Sequence, residues 1–289
     1  MTQDGNSTRR DWKDVFTVPA VIKQVFAKFH LSTYSPNALP ARSPQHRDQH
    51  TLYTWTTTED ASASNASFNP TCLKWQTYLL FNNVPFRTQA SNNHASPSGS
   101  LPFLLPANSS RPIPSSKLES WSTTHGESKS SETTPTSRQD VYTSLLDHAV
   151  RRAWLYLLYL DPDNFDHVAC HLYVSPSSSN TFVALAISHQ LRNAASQELL
   201  NITPAVDAQD ILNEAVDAFS ALSTLLGQDD WFFGNAQPGL FDASVFAYTH
   251  LLLAEEMGWR DNNLLAGRLA DFRNLVSHRE RVVDGYYKS

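Results

Sequence analysis

Two cysteines in 289 residues, Cys72 and Cys170, exclude a disulfide framework and a thiolate zinc site. They lie far apart and show neither metal nor redox spacing, so they read as two buried free thiols of a reducing compartment. Uninterrupted apolar runs are short. None reaches the 18 or so residues that a spanning helix needs, and nothing at the start reads as a secretory signal. The four Asn-X-Ser/Thr triplets, at Asn6, Asn65, Asn108 and Asn201, are therefore expected to be chance matches. Basic charge is scarce beyond the first fifty residues. Residues 1–50 carry +3 and the remainder −9, for a net charge of −6. A nucleic-acid binder needs a basic face to neutralise phosphate, and this chain offers none. The eleven histidines are scattered, with His148, His189 and His250 on separate predicted helices, and no HxxxH or His/Asp/Ser grouping appears. Asp161-Pro162-Asp163 lacks the ligand count and the glycine of a calcium loop. No catalytic residue, cofactor or metal is assigned.

What is present is an apolar content of 41%, enough for a sizeable core. It is densest between Trp231 and Leu253, WFFGNAQPGLFDASVFAYTHLLL, where Asp242 is the single charged residue. Phe241, Val245, Tyr248, Leu252 and Leu253 recur at helical spacing, which predicts a helix at the centre of a bundle. Gly239 is its expected N-cap. Asp242 is the N3 residue whose carboxylate reaches back to the open backbone N–H groups.

In chain order, residues 1–50 read as an N-terminal extension. Within it VPAVIKQVFAKFHL, residues 18–31, sets Val18, Val21, Ile22, Val25, Phe26 and Phe29 on one helical stripe. Val21, Ile22, Val25, Phe26 and Phe29 are candidates to meet a partner or a lipid surface, the alternative being packing on the chain's own domain. Asp4, Asp11 and Asp14 argue against a transit peptide. Residues 51–121 read as a small α/β domain: a strand at Thr51–Thr57, a Ser/Ala/Asn loop to Asn69, a helix opened by Pro70, strands at Val84–Gln89 and Leu101–Leu105, then a short strand and helical turn ending near Trp121. Residues 122–137 have no apolar side chain and read as a flexible linker. From 138 the pattern is all helical. Helices are predicted at Val141–Leu160 (stopped by Asp161-Pro162), Asn180–Leu200, Asp207–Leu226 with Gly227 as a left-handed cap, the opening stretch around Asp242, and Asn263–His278 with Leu264, Leu265, Leu269, Phe272 and Leu275 inward.

A thioredoxin-like α/β domain followed by an all-α bundle resembles the layout of the glutathione transferases. Leu101-Pro102 matches the position of that superfamily's cis-proline. Glu119-Ser120 resembles the acidic-Ser pair that grips the γ-glutamyl group, and Gly239–Asp242 resembles the capping box of a buried helix. If glutathione binds, the resemblance implies Pro102, Glu119 and Ser120; Pro102, Gly239 and Asp242 are the structural motif residues. Within the superfamily the chain is similar to the metaxins, through Asn69-Pro70-Thr71-Cys72-Leu73-Lys74-Trp75-Gln76-Thr77-Tyr78-Leu79, Leu101-Pro102-Phe103-Leu104, Leu160–Phe165 and Phe232–Leu253. That resemblance, with no C-terminal anchor in the sequence, implies the peripheral, metaxin-2-like branch. The expectation is a non-catalytic subunit of the sorting and assembly machinery on the cytosolic face of the mitochondrial outer membrane. Its implied partners are a β-barrel insertase, a second metaxin-like subunit and β-barrel precursors.

The chemistry of the ancestral site reads as lapsed. Transferases of this fold activate the glutathione thiol with a hydroxyl or thiol just after the first strand. Here Thr56–Thr58 and a serine-rich loop occupy that place, with Thr57, Ser64 and Ser67 as possible donors. Cys72, one turn into its helix, is the best redox candidate, and a buried structural thiol is the stronger expectation. Arg151-Arg152 opens the apolar run AWLYLLYL, either a partner face or, as favoured, part of the core. The alternative functions are a cytosolic glutathione-dependent transferase or thiol reductase, and a free-standing scaffold of the same fold.

Overall fold

The computed structural model describes residues 49–109, 111–126, 137–202, 206–259 and 263–287. The predicted helix at 18–31, with Val21, Ile22, Val25, Phe26 and Phe29, lies outside the described residues. The N-terminal sheet starts from β1 (His50–Thr54), which lies second in the order β2-β1-β3-β4. β2 (Phe86–Ala90) runs parallel to it, with Leu52 opposite Thr88. β3 (Phe103–Leu105) runs antiparallel, with Leu52 opposite Leu104, and β4 (Ile113–Pro114) pairs outside β3. The parallel pair requires a crossover, which α2 (Pro70–Phe81) supplies. Asn69 caps α2 by accepting from Cys72 N–H, and Pro70 occupies its first turn.

β1 ends three residues before its predicted span does. Beyond Thr54 the chain bends: the Trp55 carbonyl accepts from Ser67 Oγ at 2.5 Å, and Thr57 caps a short helix, α1 (Thr58–Ser62). The predicted loop at 58–69 therefore holds a turn of helix, opened by a reciprocal Thr57–Asp60 pair. After β4, α3 (Leu118–His125) continues into residues expected to be linker, and Ser122 on it is fully buried.

The C-terminal part is helical, and no strand follows β4 among the described residues. Residues 137–160 form one continuous helix, α4, with widened π-type turns at Leu146–Val150 and Tyr156–Leu160. Asp161-Pro162 ends α4 as predicted, but it also starts a helix that the sequence reading lacked, α5 (residues 162–174): Asp161 accepts from Asn164 N–H at 2.9 Å. α6 (Thr181–Leu200) and α7 (Ala208–Leu226) follow, capped by Asn180 and Asp207. Gly227 adopts φ +56° and ψ −118°, a glycine conformation with positive φ that is not the predicted left-handed helical cap. α8 (Leu240–Leu253) is the buried central helix, packed along α2 across the seam between the two halves. The last predicted helix divides at Asp271-Phe272 into α9 (Leu264–Ala270) and α10 (Arg273–Tyr286). Leu265, Leu269 and Leu275 point inward, whereas Leu264, expected inward, is exposed. One continuous cluster of buried side chains runs from Leu52 through Tyr78 and Phe246 to Val282.

Asp242 is 1% exposed and fully used. Its Oδ2 accepts from Gly239 N–H at 2.9 Å, the half of a capping box that a glycine cap permits. Its Oδ1 accepts from Phe232 N–H at 3.0 Å and lies 3.0 Å from His278 Nε2. Three segments thus converge on one carboxylate. Asp242→Ala takes the acceptor from all three donors, two of them buried, and is expected to lower stability by roughly 3–5 kcal/mol. Thermal unfolding should read this as a fall in Tm of roughly 6–20 °C. Asp242→Asn, which keeps an acceptor, should lose less than half as much; equal losses would assign the seam to charge instead.

Candidate functional site

Where β1 ends, a cavity of about 1010 Å³ opens between the two halves of the described unit. The strand end contributes Trp55, Thr56 and Thr57, and α1 contributes Glu59. The turn after β2 adds Asn92 and His94, the end of α5 adds His171 and Tyr173, and one face of α6 adds Ile187 and Leu191. The floor is aromatic: Tyr173 meets Trp55 edge-on at 5.3 Å and Phe68 edge-on at 5.2 Å. None of the lining residues is lysine or arginine, and Glu59 is the one carboxylate among them.

The hydroxyls that follow β1 divide into committed and free. Thr57 Oγ1 is bound within α1: it donates to Asp60 Oδ2 at 2.7 Å and accepts from Asp60 N–H at 3.0 Å. Ser67 is fully buried and holds the loop to the strand through the Trp55 carbonyl, while its N–H donates to Gln76 Oε1. Ser64 is exposed at φ +59°. Thr56 is different. It is 91% buried on the cavity wall, and its Oγ1 has no hydrogen-bond partner. Sequence reasoning grouped it with its neighbours, because nothing in a run of three threonines shows which one caps the next helix.

Cys72 is fully buried against Leu101 and Phe103. Burial pushes its thiol up to about 12, outweighing the opposing contacts with the Trp55 backbone and Ser67. It stays a thiol at neutral pH, so the helix-dipole argument for reactivity is overridden by desolvation. Cys170 is half-buried, its thiol also pushed up by burial, with Sγ 4.0 Å from Ser188 Oγ. Leu101-Pro102 is a cis peptide, as its position implied, and the Leu101 N–H donates to Asn93 Oδ1 at 3.1 Å. Pro102, Glu119 and Ser120 do not line the cavity. Ser120, in the first turn of α3, is exposed and donates to its own helix at the Lys117 carbonyl. Among the described residues no group of three or more His, Cys, Asp or Glu is placed to hold a metal.

Two family profiles match the chain: Glutathione S-transferase N-terminal domain over residues 70–164, and Glutathione S-transferase, C-terminal domain over residues 215–282. The chain belongs to the glutathione-transferase-like superfamily. Among curated protein sequences no significant match is found. Similar solved structures include a glutathione S-transferase of Ceriporiopsis subvermispora in complex with glutathione, at 15% identity over 83% of this chain and 99% of that one, TM-score 0.56. A glutathione transferase of Phanerochaete chrysosporium is similar at 14% identity over 80% of this chain and 97% of that one, TM-score 0.53. At these identities the likeness is one of fold.

In this glutathione-transferase-like chain several further polar residues of the helices brace the interior. Arg152 is buried and pairs with Glu214, and Arg151 reaches Glu198 at 2.8 Å, so the double arginine belongs to the core and its rim. His148 and His189 are exposed on separate helices. His278, unremarked in the sequence, joins Asp242; an uncompensated aspartate in an apolar helix was the available signal. His250 stacks on Phe246 at 5.0 Å and is pushed down to about 4, first by burial and then by the Arg279 charge. A depressed folded-state value means that its contribution is complete above pH 6.5 and is lost as pH falls toward 4, by up to roughly 3 kcal/mol. His250→Phe is expected to flatten that part of the stability profile in denaturant titrations at stepped pH. An unchanged slope would remove His250 as the cause.

α6 is the exception to this internal use of side chains. Its first eight residues, Thr181–Ser188, carry no charge, yet Phe182 is 84% and Leu185 68% exposed, with Val183 also exposed.

Proposed function

We propose that the chain is a non-catalytic subunit of the sorting and assembly machinery of the mitochondrial outer membrane. It is peripheral on the cytosolic face and assists recognition, insertion and assembly of β-barrel precursors beside a barrel insertase and a second metaxin-like subunit. The observation that carries this reading is the exposed apolar end of α6, Phe182, Val183 and Leu185, where the long apolar stripe of α8 is covered. The metaxin-like motifs at 69–79, 101–104, 160–165 and 232–253 supply the assignment to this machinery. The state of the cavity agrees with it. Glutathione carries two carboxylates, and none of the lining residues is a cation to hold them. The cysteine nearest the old nucleophile position is held as a thiol by burial. The subunit acts through binding energy alone. Affinity purification of the full chain from mitochondria-containing lysate is expected to recover a β-barrel protein and a second metaxin-like chain, and carbonate should extract the chain from outer membranes. Recovery with neither partner would overturn the reading.

One observation favours a second reading, a glutathione-dependent transferase. Thr56 lines the cavity just after β1, where such enzymes place the group that activates the thiol, and its buried hydroxyl has no hydrogen-bond partner. On this reading the full chain is retained on immobilised glutathione and conjugates a model chloronitrobenzene. Thr56→Ala should then lower kcat by roughly 100-fold or more. Turnover that survives Thr56→Ala unchanged would remove that residue, and no turnover at all would remove the reading.

A further inference from the structure

α5 and α6 form an antiparallel hairpin. Arg192 of α6 lies over the Phe165 ring of α5 at 5.0 Å, and further out Cys170 Sγ lies 4.0 Å from Ser188 Oγ. The two pairs advance in opposite directions along the helices, so residues 171–187 make up the tip beyond them. From His167 to Leu191 the chain holds no lysine, arginine, aspartate or glutamate; Asp166 on one arm and Arg192 on the other are the first charges. The tip also satisfies much of its own backbone. The end of α5 is closed by Ser175 N–H on the Cys170 carbonyl, Ser177 N–H on the Val174 carbonyl and Ser177 Oγ on the Tyr173 carbonyl. The start of α6 is closed by Asn180 Oδ1, which accepts from the Phe182 and Val183 N–H groups. What the tip presents outward is apolar: Phe182, Val183 and Leu185 are all exposed.

These features select among occupants. A protein partner meets a patch that has a polar rim and crossing hydrogen bonds, and the tip offers it no charged side chain. A bilayer surface asks for the reverse: apolar side chains at the leading end, backbone groups satisfied within the segment, and no charge within the immersed depth. Phe182 and Arg192 are ten residues apart, about 15 Å along the helix, whereas an interfacial segment enters roughly 5–10 Å. Phe182 and Leu185 can therefore pass the headgroup level while Arg192, and Asp166 at the same level of the hairpin, stay in water. Charge also separates one bilayer from another. The chain beyond residue 50 carries −9, which an anionic surface repels and a zwitterionic one does not. Among the described residues no helix is long and apolar enough to cross a membrane, so such a contact is confined to one leaflet. We propose that the tip of the α5–α6 hairpin docks end-on to a zwitterionic bilayer surface, with Phe182 and Leu185 entering the headgroup region. The assignment rests on the reading of the chain as a peripheral subunit and adds the lipid contact to it.

The test is flotation of the full chain with phosphatidylcholine vesicles, with Phe182→Asp and Phe26→Asp as paired variants. Phe182 is 84% exposed, so its substitution should leave the fold intact, which the thermal unfolding midpoint checks. The unsubstituted chain is expected to float. Phe182→Asp should lower its partitioning by roughly tenfold or more, and Phe26→Asp, on the N-terminal stripe, by less than about twofold. A nitrobenzoxadiazole label on Phe182→Cys, in a Cys170→Ser background, should shift its emission to the blue when vesicles are added and be quenched by nitroxide-bearing lipid. The same label on Gln197→Cys, toward the anchored end of α6, should do neither. Failure to float with phosphatidylcholine, flotation that survives Phe182→Asp or that requires phosphatidylserine, or a silent label at 182 would overturn the proposal. A larger particle in lipid-free gel filtration, lost in Phe182→Asp, would overturn it in favour of a second copy of the chain. Recovery of the barrel partner without vesicle binding would sink only this contact; vesicle binding with no barrel partner recovered would sink the subunit reading and leave the lipid contact standing.

Discussion

A carboxylate that sees almost no water must be met by donors from every side, and the C-terminal half is wound so that Asp242 is. Phe232 arrives from the turn before α8, Gly239 from its N-cap and His278 from α10. Losing any one donor returns desolvation cost to the remaining charge, so the three contacts hold one another in place. The aromatic residues then assemble around the polar knot: Trp231 and Phe232 both lie edge-on to the His278 ring, and Phe232 meets Phe241 edge-on at 5.0 Å. This fixes the start of α8, and α8 in turn carries the seam against α2. Asn69 caps α2, so the cap, the bend after β1 and the position of Thr56 all follow from a helix held at its far side by α8.

Much of this was legible in residue order. The stripe Phe241, Val245, Tyr248 and Leu252 gave α8 its place, Asn69-Pro70 gave α2 its start, and Leu101-Pro102 gave the cis bond its position. What was not legible were places where one short polar side chain does two jobs. Asp161-Pro162 ends one helix by geometry and begins another by capping, and only the second half needs a structure to see. Thr57 reads as the last residue of a strand because threonine favours strands, yet its hydroxyl is spent on Asp60. The division between α9 and α10 turns on Phe272, whose apolar side chain suits an unbroken stripe equally well.

The candidate site was less legible than the fold, for a reason of physics rather than of motif. Reactivity at Cys72 depends on a balance between a helix dipole, which favours thiolate, and desolvation, which opposes it. Sequence shows the dipole through the position one turn into α2. It does not show that Leu101 and Phe103 seal the sulfur from water, which decides the balance. The same holds for Glu119-Ser120: the dipeptide matches, but both residues lie off the cavity and the serine hydroxyl turns back onto its own helix.

The use of apolar surface separates the two halves of α6. Toward its end, Ala195 and Leu199 are buried and Arg151 reaches Glu198, so the helix is anchored to α4 there. Toward its start, a run of eight uncharged residues projects Phe182 and Leu185 into solvent while Ile187 and Leu191 wall a groove. A helix with no role beyond covering the core would reverse this pattern, with polar residues outward at its start. Each large apolar side chain left in water forgoes roughly 1.5–3 kcal/mol of burial, and the first turns of α6 leave three of them, Phe182, Val183 and Leu185, exposed. This uncovered apolar end lies in the stretch between the two matched parts of the superfamily fold.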